Sequence, residues 1–325
     1  MDLTRLQELM HEQDGVVSRR QVLQCGGDDN DIECRLRSRE WASLHRGVYV
    51  DHTGVPSWTQ RVWGALLYHW PAALCHVSAL RVHGLALPGA ASDEVVHVAV
   101  EAARRPRARD GIRAHRVVRL HERVQPSRTP PRVRLEDAVL DVASDMCDEA
   151  SAIAVLADAC QSRRTTATRL FARLQVRTRL PRRSFLLGVL SDVATGAFSV
   201  LEHRYLVRVE RRHGLPTGRR QRRVRTGRSA EYRDVDYEEF GVVVELDGRL
   251  GHEFQTDRWD DLDRDIESVE KGDVTVRAGW RQVLEPCRLA GSVGRVLVAR
   301  GWPGDLVPCG PDCRAGVVRG PLPAA

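Results

Sequence analysis

The chain has 325 residues, of which 42% are hydrophobic and 29% charged, a balance typical of a globular protein with enough apolar surface for two or three domains. No apolar run approaches the roughly 20 residues that a membrane span needs, and the first residues lack the layout of a signal peptide, so we expect a cytoplasmic protein with no membrane partner. The net charge of +6 favours a nucleic-acid partner, although Lys271 is the only lysine among 50 basic residues, an arginine bias that codon composition also explains.

Residues 1–55 are predicted to form three short helices followed by a pair of strands. Ser18 and Gln21 have the spacing of a capping box, which places the start of the second helix there. The third helix carries Arg35 and Arg39, which are four residues apart and would share one helix face. Two helices, a basic helix and a wing are the plan of a winged helix-turn-helix domain, and we therefore expect Arg35 and Arg39 to contact DNA.

The predicted wing contains the run Trp41-Ala-Ser-Leu-His-Arg46-Gly47-Val48-Tyr49. Together with the second and third helices, this run resembles the N-terminal domain of AbiEi-type antitoxins, which belong to type IV toxin–antitoxin systems. The resemblance implies a DNA-binding regulator, with a toxin protein as a further partner.

Residues 56–198 are predicted to form a mixed, mostly helical middle region. Ser57 has the position of a helix cap, and the helix that follows would end at Pro71. A strand over 95–100 and a basic loop over 104–109 come next. Four histidines lie in this region without the spacing of metal ligands, and we interpret them as structural residues: His76, His83, His97 and His115.

Residues 199–303 carry acidic side chains on predicted strands. The run Val242-Val-Val-Glu245-Leu-Asp247 alternates so that Glu245 and Asp247 share one strand face, and a hairpin would bring the carboxylate of Asp236 beside Glu245. Converging carboxylates repel one another unless a cation lies between them, and oxygen ligands suit Mg²⁺ or Mn²⁺. We therefore predict a Mg²⁺ (or Mn²⁺) site formed by Asp236, Glu245 and Asp247.

The acidic residues belong to a longer pattern of polar residues, which are Glu202, Asp236, Glu245, Asp247, Gly248, His252, Arg264 and Asp265. With a strand over 274–277 and a final helix from about Pro286 to Arg300, this pattern resembles the Vsr-like branch of the PD-(D/E)xK nuclease superfamily, the fold of very-short-patch-repair endonucleases and many restriction enzymes. The resemblance implies a restriction-endonuclease-like α/β domain with Glu202 as a further catalytic residue. The superfamily lysine, two residues after the glutamate, is Asp247 here, and the resemblance implies that His252 replaces it as general base or phosphate contact.

Several of these residues also have a plain structural interpretation. Glu202 lies three residues after Ser199 and could complete a capping box. Asp247 could be a turn residue before Gly248, and His252 could be an ordinary loop residue.

The densest basic cluster lies just before the acidic residues, between 211 and 225. Positive charges beside a cation site would offer phosphate contacts where phosphate chemistry could occur. The members that we predict to bind DNA are Arg219, Arg220, Arg222 and Arg223. The alternative is a solvated surface that reflects the arginine bias.

Residues 304–325 are rich in proline and glycine and are predicted to be a loose C-terminal tail. Eight cysteines spread through the chain predict reduced thiols rather than a disulfide framework. Cys309 and Cys313 resemble half of a metal site, and Cys287 could be a third ligand, but tetrahedral zinc needs four and the sequence offers no evident fourth. Free thiols packing a C-terminal loop are the simpler interpretation.

The sequence thus predicts an α/β chain (α+β overall) with a DNA-binding domain over 1–55, a middle region over 56–198, a nuclease-fold domain over 199–303 and a tail. Two functions remain open. The first is a Mg²⁺-dependent DNA endonuclease that hydrolyses phosphodiester bonds. The second is an antitoxin-like transcriptional regulator that carries an inactive nuclease fold. The altered lysine position favours the regulator, whereas the acidic residues and His252 favour the nuclease, which we place first.

Overall fold

The computed structural model describes residues 1–85, 95–195, 199–226, 229–248 and 273–317, with only the backbone described at 195, 199, 221–226 and 229–232. The fold is mixed α/β with several small sheets, and it divides into two compact units, Met1–Val142 and Ala143–Ala325. No helix in the described stretches is both long and apolar enough to cross a membrane.

The first unit begins with three helices and a three-stranded antiparallel sheet. In chain order these elements are α1 (Leu3–Glu12), β1 (Val16–Ser18), α2 (Arg19–Gln24), α3 (Asp29–Arg37), β2 (Ala42–His45) and β3 (Val48–Val50). The sheet order is β1-β3-β2. Apolar residues from all three helices and from the sheet form one buried core, which consists of Leu6, Val17, Val22, Cys25, Ile32, Trp41 and Tyr49.

Local interactions set the start of α2 and the end of α3. The predicted capping box of Ser18 and Gln21 is confirmed at the start of α2. α3 ends at Arg37, and Arg39 has a φ of 61°, so the chain has left the helix before this residue. The prediction that Arg39 shares a helix face with Arg35 is therefore wrong.

The rest of the first unit is built around a second small sheet. Its elements are α4 (Trp58–Tyr68), β4 (Ala73–Leu74), α5 (His76–Val82), β5 (Val96–Glu101), β6 (Ile112–Val117) and a 3-10 turn (Leu120–Glu122). The sheet order is β4-β5-β6, with β4 antiparallel and β6 parallel to β5. Helix α6 (Leu135–Asp145) crosses the boundary between the two units.

The second unit combines helices with a four-stranded mixed sheet. Its helices are α7 (Glu149–Gln161), α8 (Ala167–Gln175), α9 (Arg183–Thr195), α10 (Ser199–Arg204), α11 (Trp280–Leu284) and α12 (Pro286–Ala299). A π-helical segment (Tyr205–Glu210) and a 3-10 turn (Arg211–His213) continue α10. Its strands are β7 (Arg219–Thr226), β8 (Ser229–Tyr237), β9 (Val242–Asp247) and β10 (Val274–Gly279).

The sheet of the second unit has the order β10-β9-β8-β7. β10 is parallel to β9, and the other two pairs are antiparallel. In β9 the apolar residues are buried, whereas Glu245 is half-buried and Asp247 is exposed. The strand therefore leaves the core at its carboxyl end, which is where its two acidic residues lie.

The segment after α12 is packed rather than loose as far as residue 317. Ala315 is only 3% exposed, and a Cβ placed on Gly291 of α12 would lie 2.2 Å from the carbonyl oxygen of Ala315. A Cβ on Gly294 would lie 2.9 Å from the side chain of Leu306. The prediction of a loose C-terminal tail is therefore wrong for residues 304–317, because this segment is in close contact with α12. Residues 318–325 lie outside the described residues.

Candidate functional site

The acidic end of β9 gathers a different set of carboxylates from the one predicted. Burial raises the pKa of Asp234 above its ordinary value, and the negative charges of Glu245 and Asp247 raise it further. The carboxylate of Asp234 also accepts a hydrogen bond from the backbone N–H of Leu246 at 2.7 Å, which opposes this rise. Asp234, which was not among the predicted metal ligands, therefore lies with Glu245 and Asp247.

Asp236 is occupied by an internal ion pair. It lies opposite Val243 in the β8–β9 ladder and is 1% exposed. Its Oδ2 atom is 3.4 Å from a guanidinium nitrogen of Arg233, whose other terminal nitrogen is 2.6 Å from Asp273. One arginine thus bridges two carboxylates, and this charge pairing explains how Asp236 can be buried without a metal ion.

Glu245 is also paired with an arginine. The parallel register places Arg277 directly beside Glu245, and the Nε atom of Arg277 donates a hydrogen bond to Glu245 at 3.0 Å. A cation supplied by the neighbouring strand therefore already compensates the carboxylate that was predicted to hold a metal.

The carboxylates do not form a ready Mg²⁺ site. Among the described residues, two groups of at least three possible metal ligands have all ligand atoms within 4.8 Å of one another, and neither contains Asp236, Glu245 or Asp247. The physical reason is that Arg233 and Arg277 satisfy two of the three charges separately, so repulsion no longer requires a shared cation. These residues do not fit a preformed magnesium centre.

The remaining predicted nuclease residues are placed only in part. Glu202 is half-buried in α10. His252, Arg264 and Asp265 lie outside the described residues.

The arginines of β7 differ in their contacts. Arg219 is exposed and pairs with Glu238 at 2.8 Å. Arg220 is instead drawn inward, where it pairs at 2.7 Å with Glu210, whose side chain is 3% exposed. Arg220 is thus already engaged in an internal ion pair, and its phosphate contact stays a prediction. Arg222 and Arg223 lie in β7, and their side chains are outside the described part.

Arg35, which is predicted to contact DNA, likewise contacts other residues of its own domain. Its guanidinium lies 5.1 Å from the ring centroid of Trp41 and 3.1 Å from Glu40. Both contacts hold the guanidinium of Arg35 against its own domain.

A basic cleft of about 700 Å³ lies in the Met1–Val142 unit beside the turn between β2 and β3. It is lined by Arg19, Arg46, Gly47, Tyr49, Tyr68, His69, Arg104, Arg105, Pro106 and Arg107. Five of these ten residues are arginine, and none is acidic. The predicted basic loop over 104–109 supplies one wall, and the turn of the predicted wing supplies another.

The walls of the cleft are fixed by two of its arginines. Arg104 donates hydrogen bonds to the carbonyl oxygens of His69 and Pro71, both at 2.6 Å, and so holds its loop in place. Arg19 forms a two-point ion pair with Asp29 at 2.6 and 2.7 Å. Arg46, Arg105 and Arg107 are exposed.

His69 lines this cleft, and His45 immediately precedes the lining residue Arg46. Burial lowers the pKa of His45 to about 4, with further lowering by the charges of Arg109 and His69. Burial also lowers the pKa of His69, and Arg104 adds to the shift. Both imidazoles are therefore neutral at pH 7, and the positive charge of the cleft comes from arginine.

The two ligand groups that the structure does gather consist of histidine and cysteine. One contains Cys75, His76 and His115 in the first unit, where the rings of His76 and His115 stack at 3.8 Å. The sequence spacing of these histidines did not indicate their proximity, because His76 begins α5 whereas His115 lies on β6.

The other ligand group lies in the second unit and consists of His213, Cys287, Cys309 and Cys313. It supplies the fourth ligand that the cysteines lacked in the sequence. No local motif could have identified His213, because it lies on a different element from every cysteine.

Compared with protein-family models and with curated protein sequences, the chain gives no match.

Proposed function

We propose that this protein binds DNA and that the arginine cleft of the Met1–Val142 unit contacts the phosphate backbone. The observation that carries the proposal is the lining of the cleft, in which arginines are abundant and acidic side chains are absent. Phosphate contacts provide most of the non-specific affinity of proteins for DNA, and the planar guanidinium suits phosphate geometry better than other cations do.

Three arginines supply the contacts in this proposal. Arg46, Arg105 and Arg107 are exposed, so a phosphate can approach them without breaking the internal contacts of the cleft. Arg19 and Arg104 are held by hydrogen bonds and act mainly by shaping the walls.

Helix α3 supports this assignment by its own composition. Its first turn contains Asp29 and Asp31, and Glu33 is exposed. Negative charges on α3 would oppose a phosphate backbone, and Asp29 pairs with Arg19 of the cleft wall, so the main contact is better placed at the exposed arginines of the cleft. A DNA-binding regulator of the antitoxin-like kind agrees with this arrangement, and a toxin partner stays a prediction.

The proposal is tested by the salt dependence of binding to a labelled duplex of mixed sequence. Each lost phosphate contact lowers the slope of log Kobs against log salt by about 0.9. We expect a triple variant, Arg46→Gln, Arg105→Gln and Arg107→Gln, to reduce the slope by up to about 2.7 on this basis.

A matched variant removes three charges from exposed positions of the other unit, namely Arg163, Arg169 and Arg179, each replaced by Gln. It should leave the slope nearly unchanged. Equal losses in the two triple variants would mean that binding depends on net charge alone, and an unchanged slope in the cleft variant would refute the proposal.

Phosphodiester cleavage is the second candidate function. It is favoured by the group of Asp234, Glu245 and Asp247, whose charges act on one another. It is opposed by the ion pair between Glu245 and Arg277. Supercoiled plasmid incubated with Mg²⁺ or Mn²⁺ measures this activity directly.

A nuclease that uses these groups would lose nicking in the variants Glu245→Gln and His252→Ala, while both variants would still bind DNA. Nicking that persists in both would show that neither Glu245 nor His252 is required and would contradict a nuclease that uses these groups. No metal-dependent nicking by the wild type, together with salt-dependent binding through the cleft, would leave the regulator as the function.

A further inference from the structure

We propose that His213, Cys287, Cys309 and Cys313 form a structural zinc site in the Ala143–Ala325 unit. Their potential ligand atoms, one imidazole nitrogen and three sulfurs, all lie within 4.8 Å of one another. With Zn–S bonds of about 2.3 Å and a Zn–N bond of about 2.0 Å, a tetrahedral site has ligand separations of about 3.5–3.8 Å. The Sγ atoms of Cys287 and Cys309 are 3.4 Å apart, which is close to this spacing.

The histidine is prepared to bind through its Nε2 atom. Its Nδ1 atom lies 3.1 Å from the carbonyl oxygen of Val209, and a carbonyl can only accept, so Nδ1 carries the proton. In the neutral ring Nε2 then has a free lone pair, which is the form that binds a metal.

The Nε2 atom of His213 is otherwise unsatisfied. His213 is 0% exposed, and Nε2 is buried without a hydrogen-bond partner. A buried polar atom without a partner is costly, and a metal ion held with the three sulfurs would remove that cost.

The three cysteines approach the histidine from two directions. Cys287 lies in the first turn of α12, whereas Cys309 and Cys313 lie on the irregular segment that follows it. That segment is attached beside the histidine, because the N–H of Val307 donates to the carbonyl oxygen of His213 at 2.9 Å. A turn closed by the N–H of Cys313 and the carbonyl oxygen of Gly310 at 3.1 Å brings both sulfurs to the same side.

The ligand set determines the metal and its role. Thiolates with one imidazole are soft ligands that favour zinc over Mg²⁺. Four protein ligands complete a tetrahedron and leave no position for water or substrate, which is the arrangement of a structural site. All three cysteines are free thiols, so each can bind as a thiolate once its proton is released to solvent.

The test is the metal content of the full-length protein, purified under reducing conditions and measured by native mass spectrometry and elemental analysis. We expect one zinc ion per chain. Exchange with Co²⁺ should give the visible absorption of a tetrahedral site and the near-ultraviolet band of thiolate-to-cobalt charge transfer. Absence of bound metal, or a Cys287–Cys309 disulfide in its place, would overturn the proposal.

Variants identify the ligands. Replacing the buried His213 risks misfolding, so Cys313→Ser on the half-exposed segment is the better choice, and we expect it to weaken zinc affinity by more than the roughly 10–100-fold that loss of an outer-shell partner costs. Cys34→Ser, at an exposed cysteine of the other unit, is the matched control and should retain one zinc ion with the affinity of the wild type. Equal affinity in the two variants would show that the metal binds elsewhere.

Discussion

Two groups of possible metal ligands in the Ala143–Ala325 unit differ in how their charges are satisfied. The carboxylates near the end of β9 are paired with arginines of the same sheet, as Asp236 is with Arg233 and Glu245 with Arg277. The group of one histidine and three cysteines contains a buried lone pair without a partner. By this comparison a metal site requires more than suitable residue types, because the ligand atoms must also lie close together, as they do in the second group.

The largest expected effect is the loss of zinc. A strong chelator added to the full-length protein should lower the melting temperature of the second unit, because a metal present at 1,000 times its Kd contributes about 4.1 kcal/mol to stability. Addition of Mg²⁺ to the same protein should change the melting temperature little, since the carboxylates are already compensated. Calorimetry distinguishes these outcomes. A larger change of melting temperature with Mg²⁺ than with the chelator would contradict the proposed difference between the two ligand groups.

The next effect concerns the arginine that bridges Asp236 and Asp273. Arg233→Met should lower the free energy of unfolding by about 3 kcal/mol, because it leaves a buried carboxylate uncompensated. Urea denaturation measures the loss. The double variant with Asp236→Asn should recover part of it, and no recovery would show that Arg233 acts by packing alone.

A smaller effect is expected at Arg277. Its side chain is 40% exposed, so Arg277→Gln should cost only about 0.2–1 kcal/mol. The change should nevertheless increase the stabilisation by Mg²⁺, because Glu245 loses its cation while Asp234 and Asp247 remain. If titration with Mg²⁺ raises the melting temperatures of wild type and variant equally, the arginine does not control this site.

The smallest effect concerns His45, which is beside the cleft in the other unit. The pKa of His45 in the folded protein is lowered to about 4 from 6.5, so below pH 6.5 the unfolded chain binds a proton that the folded chain does not. Stability should therefore fall as pH decreases from 6.5 to about 4, with no contribution from this residue above 6.5. Thermal melts across this range should show a shallower fall for His45→Gln than for the wild type.

Local patterns in the sequence predicted several elements correctly. The capping box at Ser18 and the helix cap at Ser57, the strand that carries Glu245 and the final helix from Pro286 all depend on residues within a few positions of one another. Such short-range signals are available without knowledge of the tertiary structure.

Other features depend on contacts between distant residues and were not predicted. Asp234 replaces Asp236 near Glu245 because of hydrogen bonding and charge pairing across the sheet. Arg220 turns inward to Glu210, which no local spacing indicates. His213 joins the cysteines only when the segment after α12 folds back. Sequence periodicity therefore does not predict which charged residues or ligands of different elements come together.

The glycines of α12 have a consequence for how this part of the molecule unfolds. Gly291 and Gly294 admit Ala315 and Leu306 to the helix surface, yet each glycine weakens a helix by about 1 kcal/mol relative to alanine. A helix of 14 residues that contains such positions is marginal by itself, and the segment that covers it has no regular structure of its own. Helix and segment stabilise each other where Ala315 and Leu306 meet the glycines, so we expect them to open together as one cooperative unit.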